Sequence, residues 1–403
     1  MKIAFTVNGP GEYAGWLRPL LSALYARDPS LQASVFFVPD DFATGRESVV
    51  ARAEFPQLQV FRPSEYIRFA LGGKVDGVPA RADRVQYLGG DLMHATHIGK
   101  RLHAETTSYK FSRPRYRTQF ARVFAVDERN RTQLVEWKTP PERITIVGNL
   151  AIDAAFREVE TGDEPATAFA TDGIVIMPGS RRQEIANLVP FFLRAALRIR
   201  ETDPEIPIVF GLSPFTTADE VARALEKGGL PTVYGARGYV AERDGILFLQ
   251  NEDRTQEFAV VRHAMHAATR ARMVVTIPGT KTIELAALGV PMLATVPFNA
   301  PEAAVINGPL QYVERVPFIG TPLKRQLVLQ YTKRFTYFTQ PNMDAERELI
   351  PELTGTLTPG YVAQRVVERY RDEAWRASTS DALRALYIGH RGAAERMAEA
   401  LAA

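Results

Sequence analysis

The chain has 403 residues, 46% hydrophobic and 24% charged, with no cysteine and a net charge of only +3 from 49 Lys and Arg against 46 Asp and Glu. This is too long for one ordinary core and carries enough apolar material for two. The near balance of charge argues against a nucleic-acid-binding face, and the lack of cysteine excludes disulfide frameworks, thiol nucleophiles and thiolate metal sites.

From the N-terminus, KIAFTV (2–7) is a buried-strand run and NGPG (8–11) a turn. EYAGWLRPLLSALYARD (12–28) then carries Trp16, Leu17, Leu20, Leu21 and Leu24 at helical spacing. Further strands are expected at 33–39, 59–61, 84–91, 123–127 and 144–149. Strands separated by helical segments imply parallel pairing through crossover helices. A polar stretch, 157–173, interrupts the pattern, which restarts with strands at 174–180, 206–213, 245–249, 272–279 and 291–296. After Thr358 and Pro359, two helices follow that no strand succeeds, with apolar faces that include Val362, Val366 and Tyr370, then Leu383, Met397 and Leu401. The expected architecture is α/β: two doubly wound, Rossmann-like domains, 1–160 and 161–357, with terminal helices 358–403 packing back across the other domain or subunit. Ligands of such sheets bind beyond the carboxyl ends of the strands.

Three turns at strand ends therefore carry the candidate chemistry. NGPGEYAGW (8–16) puts glycines and Glu12 at a helix start. MPGSRRQE (177–184) offers Gly179, Ser180 as a natural N-cap, and Arg181 and Arg182 where a helix start usually favours acids; guanidinium forks there suit a bound phosphate. TIPGTKTIE (276–284) repeats the pattern, with Gly279, then Thr280, Lys281 and Thr282 as donors and Glu284 as a carboxylate for ribose hydroxyls. Two phosphate-competent turns in one domain point to a nucleoside diphosphate. His94 and His97 lie one helical turn apart without an acidic partner at metal-site spacing, so no metal and no cofactor are expected.

MPGSRRQEIANLVPFFLRAA, PGTKTIELAALGVPMLATV and PNMDAERELIPELTGTLTP (341–359), in that order, closely resemble the lipid-A-disaccharide synthases, inverting transferases of the glycosyltransferase-B architecture. NGPGEYAGW and VGNLAID (147–153) resemble two N-terminal segments of that family more loosely. The resemblance implies a UDP-sugar donor in the C-terminal domain. Arg181 would lie on the diphosphate, Gly279 to Thr282 around the phosphates, Glu284 near the ribose, and Asn342 and Glu348 beside the nucleotide. It implies a lipid-linked or sugar-phosphate acceptor in the N-terminal domain, where Asp91 corresponds best to the family's essential aspartate and His94 stands in place of its second. The family's aromatic stretch is replaced by residues 106–120, and Trp16 stands where the family has an aspartate. The implied reaction is metal-independent transfer of an acylated glucosamine with inversion; the alternatives are a UDP-N-acetylglucosamine epimerase or a nucleotide-sugar-binding paralogue.

A sugar hydroxyl needs a base as it attacks, and Asp91 is the first candidate, followed by His94 or His97, with Glu12 at the first helix start as a further one. FRPSEYIRFALGGK (61–74) reads either as an interfacial membrane segment or as an amphipathic core helix. The aromatic–basic run 109–122 lacks any surrounding nucleic-acid fold signature, so no nucleic-acid partner is expected. The opening apolar run is short for a secretory signal, and no stretch nears the roughly 18 apolar residues of a membrane span. A cytoplasmic protein is expected, with peripheral contact at the inner membrane face and a homodimer as further expectations.

Overall fold

A computed structural model describes residues 1–39, 45–110, 117–299 and 335–403. The chain forms two compact units: Met1–Arg157 together with Ile388–Ala403, and Glu158–Tyr387.

The first unit holds a seven-stranded sheet of β1 (Lys2–Val7), β2 (Gln32–Phe37), β3 (Gln59–Phe61), β4 (Arg84–Tyr87), β5 (Glu105–Tyr109), β6 (Arg122–Ala125) and β7 (Ile144–Ile146). Its order is β3-β2-β1-β4-β5-β6-β7, parallel throughout. The order reverses between β1 and β4, so their carboxyl ends open a crevice at the topological switch point. Beneath it Phe36, Val85, Ala95, Ile98, Phe120 and Val123 form one buried cluster. Each of the Phe, Val and Ile side chains among them contributes roughly 1.5–3 kcal/mol by leaving water. β5 was not foreseen: ETTSY is polar by composition. Its Thr107 is fully buried and donates from Oγ1 to Gln86 Oε1 at 2.6 Å, so this polar residue is paired with the neighbouring strand β4.

The second sheet contains β8 (Ile174–Ile176), β9 (Ile208–Gly211), β10 (Gly238–Arg243), β11 (Ile246–Asn251), β12 (Glu257–Val261), β13 (Met273–Thr276), β14 (Met292–Pro297) and β15 (Glu352–Gly355). The order is β10-β11-β12-β9-β8-β13-β14-β15. From β12 to β15 it is a parallel doubly wound sheet with its switch point between β8 and β13. β10 and β11 add an antiparallel edge. β10, β12 and β15 were also not foreseen. The helix Arg182–Thr202 buries Val189, Phe191, Phe192 and Ile199 against this sheet. Pro190 inside it frees a backbone position, and its own carbonyl accepts from Ala236 N–H at 2.9 Å.

The terminal helices are shared out. Pro359–Arg371 packs along Arg182–Thr202, and Tyr370 Oη donates to the Asp172 carbonyl at 2.8 Å. Glu373–Tyr387 stays in the same unit through Ser380 Oγ to the Gly289 carbonyl (2.6 Å) and Tyr387 Oη to Asp344 (2.7 Å). Only the last stretch belongs to the first unit. There the helix Ala393–Ala402 packs on Arg18–Arg27. Its amino end is capped by Asp153, which accepts from Gly392 and Ala394 N–H, both at 2.7 Å. Near its carboxyl end the Ala400 carbonyl accepts from Arg84 (3.3 Å) and Arg122 (2.9 Å). Acid at the start and base at the end complement the helix dipole. Among the described residues no helix is long and apolar enough to cross a membrane.

Candidate functional site

In the second unit the two Pro-Gly turns follow β8 and β13, which are adjacent and in register (Val275 opposite Ile176). Met177 N–H donates to the Val275 carbonyl at 2.8 Å. The phosphate-competent turns thus stand side by side at the switch point. Gly179 has φ +102°, and a Cβ there would lie 2.4 Å from Glu184 Oε2. That close approach lets Glu184 fold back and accept Ser180 and Arg181 N–H, both at 2.9 Å, and pair with Arg181 Nη1 at 3.4 Å. The expected cap is corrected accordingly: Arg181, not Ser180, is the N-cap of Arg182–Thr202, and Glu184 is its capping-box partner. A carboxylate therefore occupies the amides where a diphosphate is expected. Arg182 is largely exposed and lies 3.7 Å from Glu220.

At the second turn a Cβ on Gly279 would meet nothing within 4 Å, so the backbone is open in front of it. Thr280 begins the helix Thr280–Ala287. Lys281 Nζ lies 2.6 Å from Glu284 Oε2, with the lysine half exposed and the glutamate buried. Thr282 points inward: it is fully buried and its Oγ1 donates to the Gly279 carbonyl at 2.7 Å, which braces the turn.

Asn342 is also fully buried. Its Nδ2 donates to the Ile350 carbonyl and to Glu352 Oε1, each at 2.9 Å, and its Oδ1 accepts Leu349 N–H (2.7 Å) and Ile350 N–H (3.0 Å). Two donors and two acceptor positions are all the amide has. The side chain clamps the 342–352 loop, so its amide has no donor or acceptor position left over for the nucleotide beside which Asn342 is expected. Glu352, which sequence reasoning missed, accepts Phe338 N–H (2.8 Å), Thr339 N–H (2.8 Å) and Thr339 Oγ1 (2.6 Å) as well. Glu348 is exposed on the loop so formed.

In the first unit the turns after β1 and β4 meet at the other switch point. The helix after β1 begins at Pro10–Glu12, passes through a π-helical turn (Tyr13–Leu17) and continues as Arg18–Arg27. π turns recur at functional sites. Gly89 lets the two turns touch: a Cβ there would lie 2.3 Å from Asn8 Oδ1 and 2.9 Å from Glu12 Cγ. Gly90 (φ +91°) is fixed by Tyr87 Oη, which donates to its carbonyl at 2.8 Å. Asp91 is the exposed N-cap of Leu92–Arg101 and accepts Met93 N–H at 2.9 Å. His94 Nδ1 lies 2.6 Å from Tyr66 Oη, and burial holds its pKa below the usual value, opposed by the Asp91 charge and reinforced by His97. His97 turns elsewhere, to the Ala70 carbonyl at 3.0 Å, so the two rings do not converge. Glu12, Asp91 and His94 thus share one turn cluster. Trp16 packs edge-on against Tyr109 (5.6 Å), and Tyr109 Oη accepts Leu150 N–H at 3.0 Å, which ties 8–16 to 147–153.

No family model matches the chain. Curated lipid-A-disaccharide synthases are similar: that of Geobacter sulfurreducens is 29% identical over 154 residues, covering 37% of this chain and 33% of the relative. Those of Thiobacillus denitrificans (25%) and Burkholderia pseudomallei (26%) match over 264 residues, 64% of this chain and 58% and 56% of the relatives. The matches span from a third to under three-fifths of those relatives' length. Among solved structures, Methanocaldococcus jannaschii UDP-GlcNAc 2-epimerase, in complex with UDP-GlcNAc and UDP, superposes over 100% of this chain and 99% of its own at a TM-score of 0.57 and 13% identity. The Neisseria meningitidis UDP-GlcNAc 2-epimerase, bound to UDP-GlcNAc, gives 0.50 at 12% identity over 92% of this chain and 99% of its own. The fold is glycosyltransferase-B. At these identities the structural likeness concerns the fold alone.

Within the glycosyltransferase-B fold, a shallow depression of about 780 Å³ lined by Lys2, Arg81, Asp83, Arg84, His103 and Glu105 lies at the amino ends of β1, β4 and β5, the end away from the turns. The segment 61–74, read either as membrane-facing or as core, divides: Tyr66 and Phe69 are buried, whereas Ile67 and Leu71 are exposed. Of the aromatic–basic run 109–122, residues 111–116 lie outside the described residues. Tyr66 was missed as a site residue because nothing in the sequence links it to His94, 28 residues away; only the packing of Pro63–Ala70 beside Leu92–Arg101 does.

Proposed function

We propose that the chain is an inverting glycosyltransferase of the lipid-A-disaccharide synthase kind, taking an acylated glucosamine from a UDP-sugar to a lipid-linked sugar acceptor. The carrying observation is the pair of phosphate-competent turns on adjacent strands β8 and β13. The names of the curated relatives support the same reading. On it, the diphosphate displaces Glu184 from the Ser180 and Arg181 amides, and Arg181, half exposed and only 3.4 Å from Glu184, turns onto the phosphates. Thr280 N–H and Lys281 complete that side, and Glu284, buried beside Lys281, is the carboxylate for the ribose hydroxyls. In the first unit Asp91 takes the proton of the acceptor hydroxyl as its oxygen bonds to the anomeric carbon. The bond to the UDP oxygen breaks, and the charge that develops there is held by Arg181 and the helix-start amides. One displacement inverts the centre.

Calorimetry of UDP tests the donor half. The wild type is expected to bind, and Arg181→Ala to bind at least about tenfold more weakly, as for loss of a charge-assisted contact. Absence of UDP affinity in the wild type overturns the assignment. Turnover of a diacylated UDP-glucosamine is expected only with a lipid-linked sugar acceptor. Turnover of UDP-N-acetylglucosamine without any acceptor would instead identify an epimerase.

A further inference from the structure

We propose that Tyr66 is a positioning residue that holds His94 in the tautomer protonated at Nε2, so that His94 acts as a neutral hydrogen-bond donor to an oxygen of the acceptor and not as the base. The inference rests on the reading of the first unit as the acceptor side. Tyr66 is only 5% exposed, and among the described residues its hydroxyl has His94 Nδ1 as partner, at 2.6 Å. The rings stand edge to face, 5.2 Å apart at 89°, and Tyr66 is itself set edge-on against the buried Phe36 at 6.4 Å.

A buried phenol must place its proton on an acceptor. If Nδ1 carried hydrogen and donated to Tyr66, the phenolic proton would have no acceptor among the described residues. With the phenol donating, the Nδ1 lone pair is consumed and the ring's remaining proton sits on Nε2. Burial raises the Tyr66 pKa and lowers that of His94, so it favours the neutral form of both groups, as this arrangement requires. The free edge of the imidazole faces the turn: Cδ2, bonded to Nε2, lies 3.5 Å from where a Cβ on Gly90 would stand. Gly90 and the exposed Asp91 form the mouth of the β1–β4 switch point. The Asp91 charge acts on the same ring, so with His94 a donor through Nε2–H, proton acceptance is left to Asp91.

Two measurements test this. Histidine side-chain nitrogen NMR on the isotope-labelled full chain, above the histidine titration range and with His94 assigned from His94→Gln, is expected to show Nε2 protonated and Nδ1 bare. Tyr66→Phe is expected to shift that ring toward a mixture of tautomers. A wild-type ring with bare Nε2 overturns the proposal whatever reaction the protein performs. In turnover, glutamine carries an amide donor near the Nε2 position but cannot accept a proton. His94→Gln is expected within about tenfold of wild type, and His94→Ala to fall by about 10²–10³, the loss typical of a transition-state donor. Equal inactivity of the two variants overturns the donor role. Absence of wild-type turnover would fall on the proposed function and leave the tautomer result standing.

Discussion

Replacing Asn342 by alanine separates a clamp from a ligand contact. The substitution removes four hydrogen bonds at once: Ile350 N–H and the Ile350 carbonyl lose their partner in the buried interior, and Leu349 N–H loses its partner in a part-buried position. A buried polar group left unpaired costs about 1–3 kcal/mol. Three such groups, partly relieved by loop relaxation, give a loss of about 3–5 kcal/mol, a large part of the ~5–15 kcal/mol that holds an ordinary domain folded. For a unit of this size each kcal/mol moves the melting temperature by about 2–4 °C. Thermal scans of the full chain should therefore show the transition of the second unit falling by about 10 °C. Asn342→Asp sharpens the test. It keeps acceptors for both N–H groups but faces the Ile350 carbonyl and Glu352 with a carboxylate, so it should be at least as unstable at neutral pH. It should recover as the pH falls and one carboxyl takes a proton, since that restores the donor. A melting temperature within about 2 °C of wild type for Asn342→Ala, together with lost UDP affinity, would refute the clamp and reinstate the nucleotide contact.

Gly89→Ala should loosen the first unit by about 1–3 kcal/mol, because its Cβ would stand 2.3 Å from Asn8 and 2.9 Å from Glu12, whereas Gly11→Ala meets nothing and should be neutral or slightly stabilising; chemical denaturation of both variants checks this. Asp153→Ala removes both cap bonds of Ala393–Ala402 and should cost about 1–2 kcal/mol, read as faster amide exchange in that helix with the second unit unchanged. His94 has a lowered pKa in the fold, so the unfolded chain binds more protons and stability must fall as the pH drops below about 6.5. Facing it are Tyr66 from Pro63–Ala70 and Asp91 and His97 from its own segment. Melting temperature against pH should therefore be flatter for His94→Gln than for wild type, and parallel curves would sink the claim.

The sequence by itself determined the local events. Apolar runs, Pro-Gly turns and helix starts depend on neighbours a few residues apart, and so the strands ending at the three chemical turns, and the two-domain α/β class, were legible. What escaped was set by distant partners. ETTSY forms a strand because it pairs with β4 and β6 on either side and Gln86 accepts the Thr107 hydroxyl, not because its composition favours one. Ser180 has the chemistry of a cap, but the fold-back of Glu184 over Gly179 moves the cap to Arg181. The family resemblance placed Asn342 beside a nucleotide, and only the folded 342–352 loop shows its amide already committed in all four directions. Strand order is the largest of these decisions. Pairing β1 with β4 and β8 with β13 joins residues about eighty to a hundred positions apart, and the sequence marks neither pairing. The sequence supplied the turns, and the tertiary structure, through long-range sheet pairing and burial, brought them together in pairs.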